Sequence, residues 1–269
     1  MTTQACPLCG STQLELVFSW DEPPAGETPF PLPPGRAYAR EFRRCADCDL
    51  FIGVHGLGGE GFYGGEYVDV TYGDRMAETY DRIRALPPGQ SDNESRVQRI
   101  LTELGREGSV LDVGAGLGVF PARMREAGWQ VTALDPDPRA VEHLRSHVRV
   151  EAICADFFQA EDVGCFDLVT FNKVLEHVEN PVAMLGRALA HLRPGGIVYV
   201  EVPDGDGAAA DGPHREEFFI EHLYAFGVDS LRLVAGHAGF DALRVEAVRD
   251  PSGKYTLFAF LRPRDTASP

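Results

Sequence analysis

The stretch that decides the fold reads Val110-Leu111-Asp112-Val113-Gly114-Ala115-Gly116-Leu117-Gly118-Val119-Phe120. An apolar run ends there in a glycine-rich turn, and Asp135 follows at the end of the next apolar run. This pattern is typical of the first βα turn of a doubly wound sheet, where a nucleoside cofactor binds. Taken alone, it is also compatible with a tight βα turn that holds no ligand.

The spacing of the glycines distinguishes between cofactors. The dinucleotide fingerprint is G-x-G-x-x-G, and its third glycine allows close helix packing around a pyrophosphate. Here the glycines are Gly114, Gly116 and Gly118, and Val119 follows them. The turn therefore favours S-adenosylmethionine (SAM), which has no pyrophosphate, and Asp112 is well placed to help bind the methionine ammonium.

Composition narrows the class of protein. The chain has 269 residues with 41 acidic and 25 basic side chains, a formal net charge of −16. Its length fits one large domain with an appendage, and its acidity argues against a nucleic-acid partner. It contains no apolar run of the roughly 18–20 residues needed to span a membrane, and no signal peptide is recognisable. We therefore expect a cytoplasmic protein without a membrane partner.

Two cysteine pairs near the N-terminus predict a metal site. They are Cys6-Pro7-Leu8-Cys9 and Cys45-Ala46-Asp47-Cys48, and two such C-x-x-C knuckles suit one structural Zn²⁺ held by four thiolates. A redox-active C-x-x-C is the alternative, but no thioredoxin-like βαβ pattern surrounds either pair. We expect the remaining cysteines, Cys154 and Cys165, to be buried and inert.

Three segments follow from these patterns: a zinc-ribbon-like module over residues 1–60, a connector over 61–90 and a cofactor-binding domain over 91–269. The connector is rich in glycine and tyrosine, with Gly61-Phe62-Tyr63-Gly64-Gly65-Glu66-Tyr67 and Tyr72. It reads equally well as a lid over the cleft and as a linker with aromatic anchors. Ser91 and Glu94 predict a helix start with a capping box.

Strands and helices alternate from residue 109 onward, which predicts an α/β fold with a parallel sheet covered on both faces. The predicted strands are 109–113, 130–134, 150–154, 166–171 and 196–202, and the predicted helices are 118–127, 138–147 and 181–192. Two further strands, 240–247 and 255–262, flank the turn signal Asp250-Pro251-Ser252-Gly253 and predict an antiparallel hairpin.

Ligands of such sheets bind beyond the carboxyl ends of the strands. The carboxylate of Asp135 can accept both ribose hydroxyls, Asp156 can accept the adenine amino group, and Phe157 can line the adenine ring. The backbone at Asn172 and Lys173 can border the methionine portion. The predicted cofactor-binding residues are Asp112, Gly114, Ala115, Gly116, Gly118, Phe120, Asp135, Pro136, Asp156, Phe157, Asn172 and Lys173.

Over residues 91–262 the sequence resembles the class I SAM-dependent methyltransferases. The resemblance rests on the 111–118 turn, Asp135, Asp156, the segment Asn172-Lys173-Val174-Leu175-Glu176-His177 before Pro181, and Leu192-Arg193-Pro194-Gly195-Gly196. It implies a Rossmann-like sheet of seven strands in the order 3-2-1-4-5-7-6, with strand seven antiparallel.

A narrower resemblance points to the nucleotide-sugar C-methyltransferases. It rests on the cysteine-rich N-terminus, the connector, and Phe219-Ile220-Glu221-His222-Leu223-Tyr224. In that family a His-Glu-His segment at this point supplies the base. Glu221 and His222 match its last two members, while Ile220 replaces the first His, and the family's long C-terminal domain has no counterpart here. A smaller O-methyltransferase for a sugar or another metabolite therefore fits the length better.

Methyl transfer from a sulfonium is an in-line displacement that often requires removal of a proton from the acceptor. We expect His222 to act as the general base, with His177 and Glu221 as further catalytic candidates. The predicted acceptor is a small molecule, in particular a sugar-derived or nucleotide-linked biosynthetic metabolite methylated on oxygen or carbon. An NAD-type oxidoreductase and a non-catalytic zinc-ribbon adaptor remain as alternatives.

Overall fold

The computed structural model describes residues 5–27, 29, 37–55, 75–87 and 89–264. Two β-sheets account for all strands in these ranges. The strands are β1 (Leu14–Trp20), β2 (Arg40–Cys45), β3 (Phe51–His55), β4 (Ser109–Val113), β5 (Gln130–Asp135), β6 (Glu151–Cys154), β7 (Phe166–Asn172), β8 (Leu192–Pro203), β9 (Tyr224–Ala225), β10 (Phe240–Arg249) and β11 (Tyr255–Pro263). The glycine- and tyrosine-rich part of the predicted connector lies outside the described residues.

The α-helices of the described residues alternate with the strands of the larger sheet. They are α1 (Met76–Arg84), α2 (Asp92–Leu104), α3 (Val119–Glu126), α4 (Pro138–His143), α5 (Pro181–Arg187), α6 (Gly205–Asp211) and α7 (Val228–His237). Several begin at side chains that cap their first turn: Ser91 accepts a hydrogen bond from the backbone N–H of Glu94, and Asn180 accepts one from Ala183. None of the helices in the described ranges combines the length and apolar character needed to cross a membrane.

The larger sheet has seven strands in the order β10-β11-β8-β7-β4-β5-β6. Numbered along the chain from β4 and read from the β6 edge, the order is 3-2-1-4-5-7-6. Neighbouring strands from β6 to β8 are parallel, whereas β11 is antiparallel to both β8 and β10. The central strand β4 is buried at every position, as expected of a parallel strand covered on both faces.

In detail, the elements differ from their predicted bounds. The fifth strand of the larger sheet, β8, begins at Leu192 rather than at residue 196. The predicted helix 138–147 ends as α4 at His143 and continues as a single π-helical turn, Leu144–Val148. The predicted helix 181–192 ends at Arg187 and is followed by a 3₁₀ turn, Ala188–His191. Element ends are the part of a fold that local patterns specify least.

The smaller sheet joins the N-terminal strands to the larger domain. Its order is β1-β2-β3-β9, and all its pairs are antiparallel. Strand β9 comes from the chain that follows β8, so the N-terminal region pairs directly with the cofactor-binding half. Cys45, Leu50 and Ile52 also belong to the same buried apolar cluster as Val198 and Phe226. The division at residue 60 stays a prediction.

Candidate active site

One large cleft follows the carboxyl ends of the parallel strands. Its volume is about 1660 Å³, more than the roughly 300–1,000 Å³ typical of a site for one small ligand, so it offers room for a cofactor and an acceptor together. Its wall contains all of the predicted cofactor-binding residues and the three predicted catalytic residues His177, Glu221 and His222. The structure thus brings these side chains together; their individual roles stay predictions.

The glycines of the turn after β4 have different surroundings. A side chain at Gly118 would lie 2.5 Å from Leu144 Cδ2, and one at Gly114 would lie 2.8 Å from Val174 Cγ2. At Gly116, by contrast, a Cβ atom would meet nothing within 4 Å. Gly114 and Gly118 therefore allow close packing of the protein, whereas Gly116 leaves open space in the wall of the cleft where a ligand can approach the backbone.

Asp135 ends β5 and is almost completely buried, with 7% of its surface exposed. Its Oδ2 accepts a hydrogen bond from the backbone N–H of Gly116 at 2.9 Å, and its Oδ1 accepts one from Asp137 at 2.9 Å. Burial raises the pKa of Asp135, and these two backbone donors oppose that shift. A carboxylate offers about four lone-pair sites, so two remain for a pair of hydroxyls.

Asp112 and Asn172 form the next part of the wall. Oδ1 of Asp112 accepts hydrogen bonds from Thr170 Oγ1 at 2.7 Å and from Asn172 Nδ2 at 2.8 Å. Burial raises the pKa of Asp112 to about 6, although these two donors lower it. Within the described residues, Oδ1 of Asn172 is buried and has no hydrogen-bond partner. An unsatisfied buried acceptor beside a carboxylate fits a cationic amine, such as the methionine ammonium of SAM.

At the other end of the cofactor region, Phe157 does not have the surroundings expected of a ring that covers adenine. It is 2% exposed and packs in the core against Phe171 and His191. The next residue, Phe158, is 38% exposed and also lines the cleft. Asp156 is exposed, and its Oδ1 accepts the backbone N–H of Phe158 at 2.9 Å. Phe158 is thus an aromatic candidate that the sequence analysis missed.

The side chain of Lys173 points away from the cofactor region and into the sheet. Its φ of +61° lies in the left-handed region, which is uncommon outside glycine and often found at functional sites. Its Nζ donates to Thr256 Oγ1 at 2.7 Å, on β11. Burial lowers the pKa of Lys173, while the carboxylates of Glu176, Glu201 and Asp250 raise it. Its backbone can border the cofactor, but its ammonium is bound to the interior of the sheet.

Three titratable side chains meet at the far end of the cleft. Glu176, His177 and His222 each contribute a donor atom, and these atoms lie within 4.8 Å of one another. The rings of the two histidines are tilted at 54°, with centroids 4.9 Å apart. Nδ1 of His177 donates to the Glu221 carbonyl and Nδ1 of His222 donates to the Glu217 carbonyl, both at 2.9 Å. Because a carbonyl can only accept, the lone pair of each neutral ring lies on Nε2.

Burial lowers the pKa of His222 well below its usual range, and the neighbouring His177 lowers it further. Glu176 is completely buried, and among the described residues neither of its carboxylate oxygens has a hydrogen-bond partner. Burial raises the pKa of Glu176 to about 7, against the opposing charge of Lys173. Buried titratable groups of this kind are suited to proton transfer. The charge of Lys173 also disfavours a metal cation here.

Glu176 is the functional candidate that sequence reasoning left out of its catalytic set. In the sequence Glu176 is simply an acidic residue between Leu175 and His177, and in the structure it lies in a short 3₁₀ turn. Its complete burial cannot be read from the sequence. Burial also raises the pKa of the third catalytic candidate, Glu221. The backbone carbonyl of Glu221 is the group that holds His177.

The four N-terminal cysteines converge, as their spacing predicts, and could hold a metal ion. The Sγ atoms of Cys6 and Cys48 are 3.6 Å apart, and those of Cys9 and Cys45 are 3.5 Å apart. Both distances are far longer than the roughly 2.05 Å of a disulfide. The expectation for the other two cysteines is wrong, because both are exposed. Cys154 is the last residue of the edge strand β6, and Cys165 lies just before β7 begins.

Comparison with known proteins identifies the class. A family model described as a methyltransferase domain matches residues 82–245, more than half of the chain. The chain therefore belongs to this methyltransferase family. Membership of this family argues against the alternative of a NAD-type oxidoreductase.

Among curated relatives, ubiquinone biosynthesis O-methyltransferases match part of the chain. The protein from Xanthomonas euvesicatoria pv. vesicatoria is 34% identical over 125 residues, which cover 44% of this chain and 52% of that protein. The one from Xanthomonas campestris pv. campestris is 33% identical over 125 residues, with the same coverage of both chains. The chain thus spans about half the length of the curated relatives it matches.

Solved structures share the fold. The 1,6-didemethyltoxoflavin-N1-methyltransferase of Burkholderia thailandensis, with S-adenosylhomocysteine bound, gives a TM-score of 0.55 at 23% identity and covers 88% of this chain and 99% of that one. The magnesium protoporphyrin IX methyltransferase of Synechocystis, also with S-adenosylhomocysteine, gives 0.55 at 16% identity and covers 75% of this chain and 100% of that one. At these identities the likeness concerns the fold alone.

Proposed function

We propose that this protein transfers the methyl group of SAM to a hydroxyl oxygen of a small-molecule acceptor. One observation carries the proposal: the cluster of Glu176, His177 and His222 lines the same cleft as Asp112 and Asp135. A proton-accepting cluster beside the cofactor region suits an acceptor that must lose a proton as its oxygen is methylated.

In this mechanism His222 is the general base. Its Nδ1–H is held by the Glu217 carbonyl, so Nε2 carries the lone pair that accepts the proton of the acceptor hydroxyl. The lowered pKa of His222 keeps the ring neutral at neutral pH, so its lone pair is available, but it also makes the isolated ring a weak base. In its ionised form Glu176, whose ligand atom lies within 4.8 Å, offsets the positive charge that develops on the imidazole and so makes the ring a stronger base.

SAM supplies an electrophilic methyl group when bound. Asp135 would hold the ribose hydroxyls, and Asn172 Oδ1 together with Asp112 would hold the methionine ammonium. The exposed ring of Phe158, next to Asp156, would cover the adenine. The Arg96 guanidinium also lines the cleft, where it is bound to Glu201 by Nε at 2.7 Å.

The choice of oxygen is supported by the curated relatives, which are O-methyltransferases by name. Whether the hydroxyl belongs to a sugar, a nucleotide-linked sugar or another metabolite is decided by the acceptor end of the cleft. That end is lined by Glu216, Glu217, Phe219, Lys254 and Tyr255. Lys254 pairs with Glu216 at 3.1 Å and Arg215 pairs with Glu217 at 3.0 Å, so the charges at this end are balanced. Together with the two aromatic rings, this favours a neutral, polyhydroxylated acceptor, and hence a free sugar or glycoside over its nucleotide-linked form.

We further propose that the four N-terminal cysteines hold a structural Zn²⁺. Thiolates around a tetrahedral zinc, with Zn–S bonds of about 2.3 Å, lie about 3.8 Å from one another. The 3.5 and 3.6 Å separations of the Sγ atoms are close to that value. Four protein ligands leave no open position for catalysis, so the metal would stabilise the fold alone.

The test uses SAM carrying a ¹³C-labelled methyl group and a panel of sugars, glycosides, nucleotide-linked sugars and phenols. We expect a labelled O-methyl product from a member of the panel. His222→Gln should lower turnover about 100-fold or more while leaving affinity for S-adenosylhomocysteine within about twofold. His237→Gln, which changes an exposed histidine at the end of α7, is the matched control. Undiminished turnover by His222→Gln would exclude this residue as the base.

A further inference from the structure

Residues 213–225, here called the strap, hold both histidines of the cluster. The strap carries His222 itself, and its Glu217 and Glu221 carbonyls accept from His222 and His177 at 2.9 Å. The backbone N–H of Leu223 also donates to the Glu176 carbonyl at 2.9 Å. The positions of all three members of the cluster therefore depend on where the strap lies.

The strap has little regular structure of its own. It contains one 3₁₀ turn, Glu216–Phe218, and the two-residue strand β9. Short elements of this kind require external contacts to hold one conformation. The smaller sheet provides several: β3 pairs with β9, the N–H of Gly53 donates to the Leu223 carbonyl at 2.8 Å, and Nε1 of Trp20 donates to the Pro213 carbonyl at 3.2 Å.

A buried ion pair adds the most specific contact. Nη2 of Arg40 and Oε2 of Glu27 are 2.8 Å apart, and the two side chains are only 2% and 1% exposed. Both charged groups bind the strap as well: Glu27 Oε2 accepts the Ile220 N–H at 2.8 Å, and Arg40 Nη1 donates to the Phe218 carbonyl. The Glu27 carboxylate thus binds a backbone N–H two residues before His222. The Arg40 guanidinium binds a backbone carbonyl four residues before it.

The aromatic side of the strap is held by the same sheet. The ring of Phe218 is completely buried and contacts Phe18, Phe42 and Phe51, with centroids 5.3, 5.0 and 6.1 Å away. These contacts are apolar and tolerate small displacements, whereas the hydrogen bonds of Glu27 and Arg40 have strict geometry. The ion pair therefore restricts the position of the strap more tightly than the aromatic packing does.

We infer that Glu27 and Arg40 are positioning residues that set the place of His222 in the cleft; the inference rests on the proposed role of His222 as the base. A buried ion pair adds little net stability compared with apolar groups of the same volume, but removing one partner leaves a buried charge and disrupts the contacts it made. Arg40 at the start of β2 and Glu27 in the chain between β1 and β2 thus hold the cluster in place from the N-terminal region.

The test uses the full chain with ¹³C-labelled histidine and bound S-adenosylhomocysteine, and the resonance of the His222 ring is assigned by its loss in His222→Gln. We expect Glu27→Ala to shift or broaden this resonance. Glu27→Gln, whose amide oxygen can still accept from Ile220, should restore most of the wild-type position. Glu41→Gln is the matched control because it breaks a half-exposed ion pair with Arg43 on the same sheet and should leave the resonance unchanged.

Affinity for S-adenosylhomocysteine should stay within about twofold in all these variants, which shows that the cofactor region is folded. If Glu27→Ala does not fold, Arg40→Lys keeps the charge and loses the bond to Phe218, and it should move the same resonance. An unmoved His222 resonance in the folded variant overturns the inference. This measurement needs no acceptor, so it tests the positioning role alone. The proposed methyl transfer is tested separately, by the turnover of His222→Gln.

Discussion

The carboxylate of Asp135 accepts the backbone N–H of Gly116 at 2.9 Å, so the end of β5 is tied directly to the glycine turn that follows β4. The bond orients the carboxylate and the turn relative to one another before any ligand arrives. Preorganised groups lose less conformational freedom on binding. One side chain therefore serves the shape of the cofactor site as well as its chemistry.

Replacing Asp135 by alanine should weaken binding of S-adenosylhomocysteine about 10- to 100-fold, because hydrogen bonds to a charged group contribute roughly 1.5–3 kcal/mol. Isothermal titration calorimetry measures the change. Asp167→Asn is the control, since Asp167 lies at the opposite end of the sheet and binds Ser109. Unchanged affinity in Asp135→Ala would show that another residue binds the ribose.

Two glycine substitutions should separate packing from ligand binding. Both Gly116 and Gly118 have positive φ, +50° and +73°, so alanine at either position costs about 1–2 kcal/mol of backbone strain. Only at Gly118 does the new methyl group also collide with Leu144 and Val148. We expect Gly118→Ala to have the lower unfolding midpoint in urea.

Gly116→Ala should instead lose affinity for S-adenosylhomocysteine while it unfolds closer to the wild type, because its methyl group enters open space in the cleft. The comparison needs both measurements on both variants. If Gly116→Ala binds the ligand like the wild type, the cofactor does not approach the backbone at this turn.

The cofactor half of the site could be predicted from the sequence because its signals are local. Asp112, Gly116 and Asp135 follow the ends of consecutive strands, and parallel strands bring their carboxyl ends to one edge. The choice between Phe157 and Phe158 could not be predicted, because it depends on which ring packs against Phe171.

The acceptor half depends on contacts between distant parts of the chain. Glu27 binds Ile220, 193 residues away, and β9 is a two-residue strand whose only pairing partner in the described sheets is β3. Neither produces a periodic pattern in the sequence. The burial of Glu176 is likewise a product of packing between the strap and the sheet, so its raised pKa could not be anticipated.

The cysteine cluster predicts a metal-dependent N-terminal sheet. We expect one zinc ion per chain in the purified protein, measured by elemental analysis, and its loss in Cys45→Ser. Without the ion, amide hydrogens of β1 to β3 should exchange faster, while those of β4 to β8 keep their protection, because the larger sheet also packs against two apolar clusters that contain no residue of the N-terminal strands. Cys165→Ser changes an exposed cysteine outside the cluster and should alter neither result; a metal-free wild type with a protected N-terminal sheet would contradict the prediction.

The ionised carboxylate of Asp112 should lower the free energy of unfolding at neutral pH. Burial raises its pKa to about 6, despite the donors Thr170 and Asn172, whereas the unfolded chain has a value of about 3.9. A carboxyl with a raised pKa in the folded state destabilises the fold above that pKa, and the penalty disappears as the pH falls from about 6 to about 4. Asp112→Asn, which keeps an oxygen for both donors, should therefore raise the free energy of unfolding at pH 7.5 by about 1–3 kcal/mol.

The gain of Asp112→Asn should shrink below pH 6 and vanish near pH 4, which denaturant titrations across this range measure. Asp167→Asn should change the free energy of unfolding in the opposite direction. The backbone N–H and hydroxyl of Ser109 lower the pKa of Asp167, so removing this carboxylate should reduce stability at neutral pH. The stabilised Asp112→Asn chain should also bind S-adenosylhomocysteine more weakly at pH 7.5, since it has lost the charge that attracts the ammonium. A variant that gains stability and keeps full affinity would show that Asp112 is buried for packing and not for the cofactor.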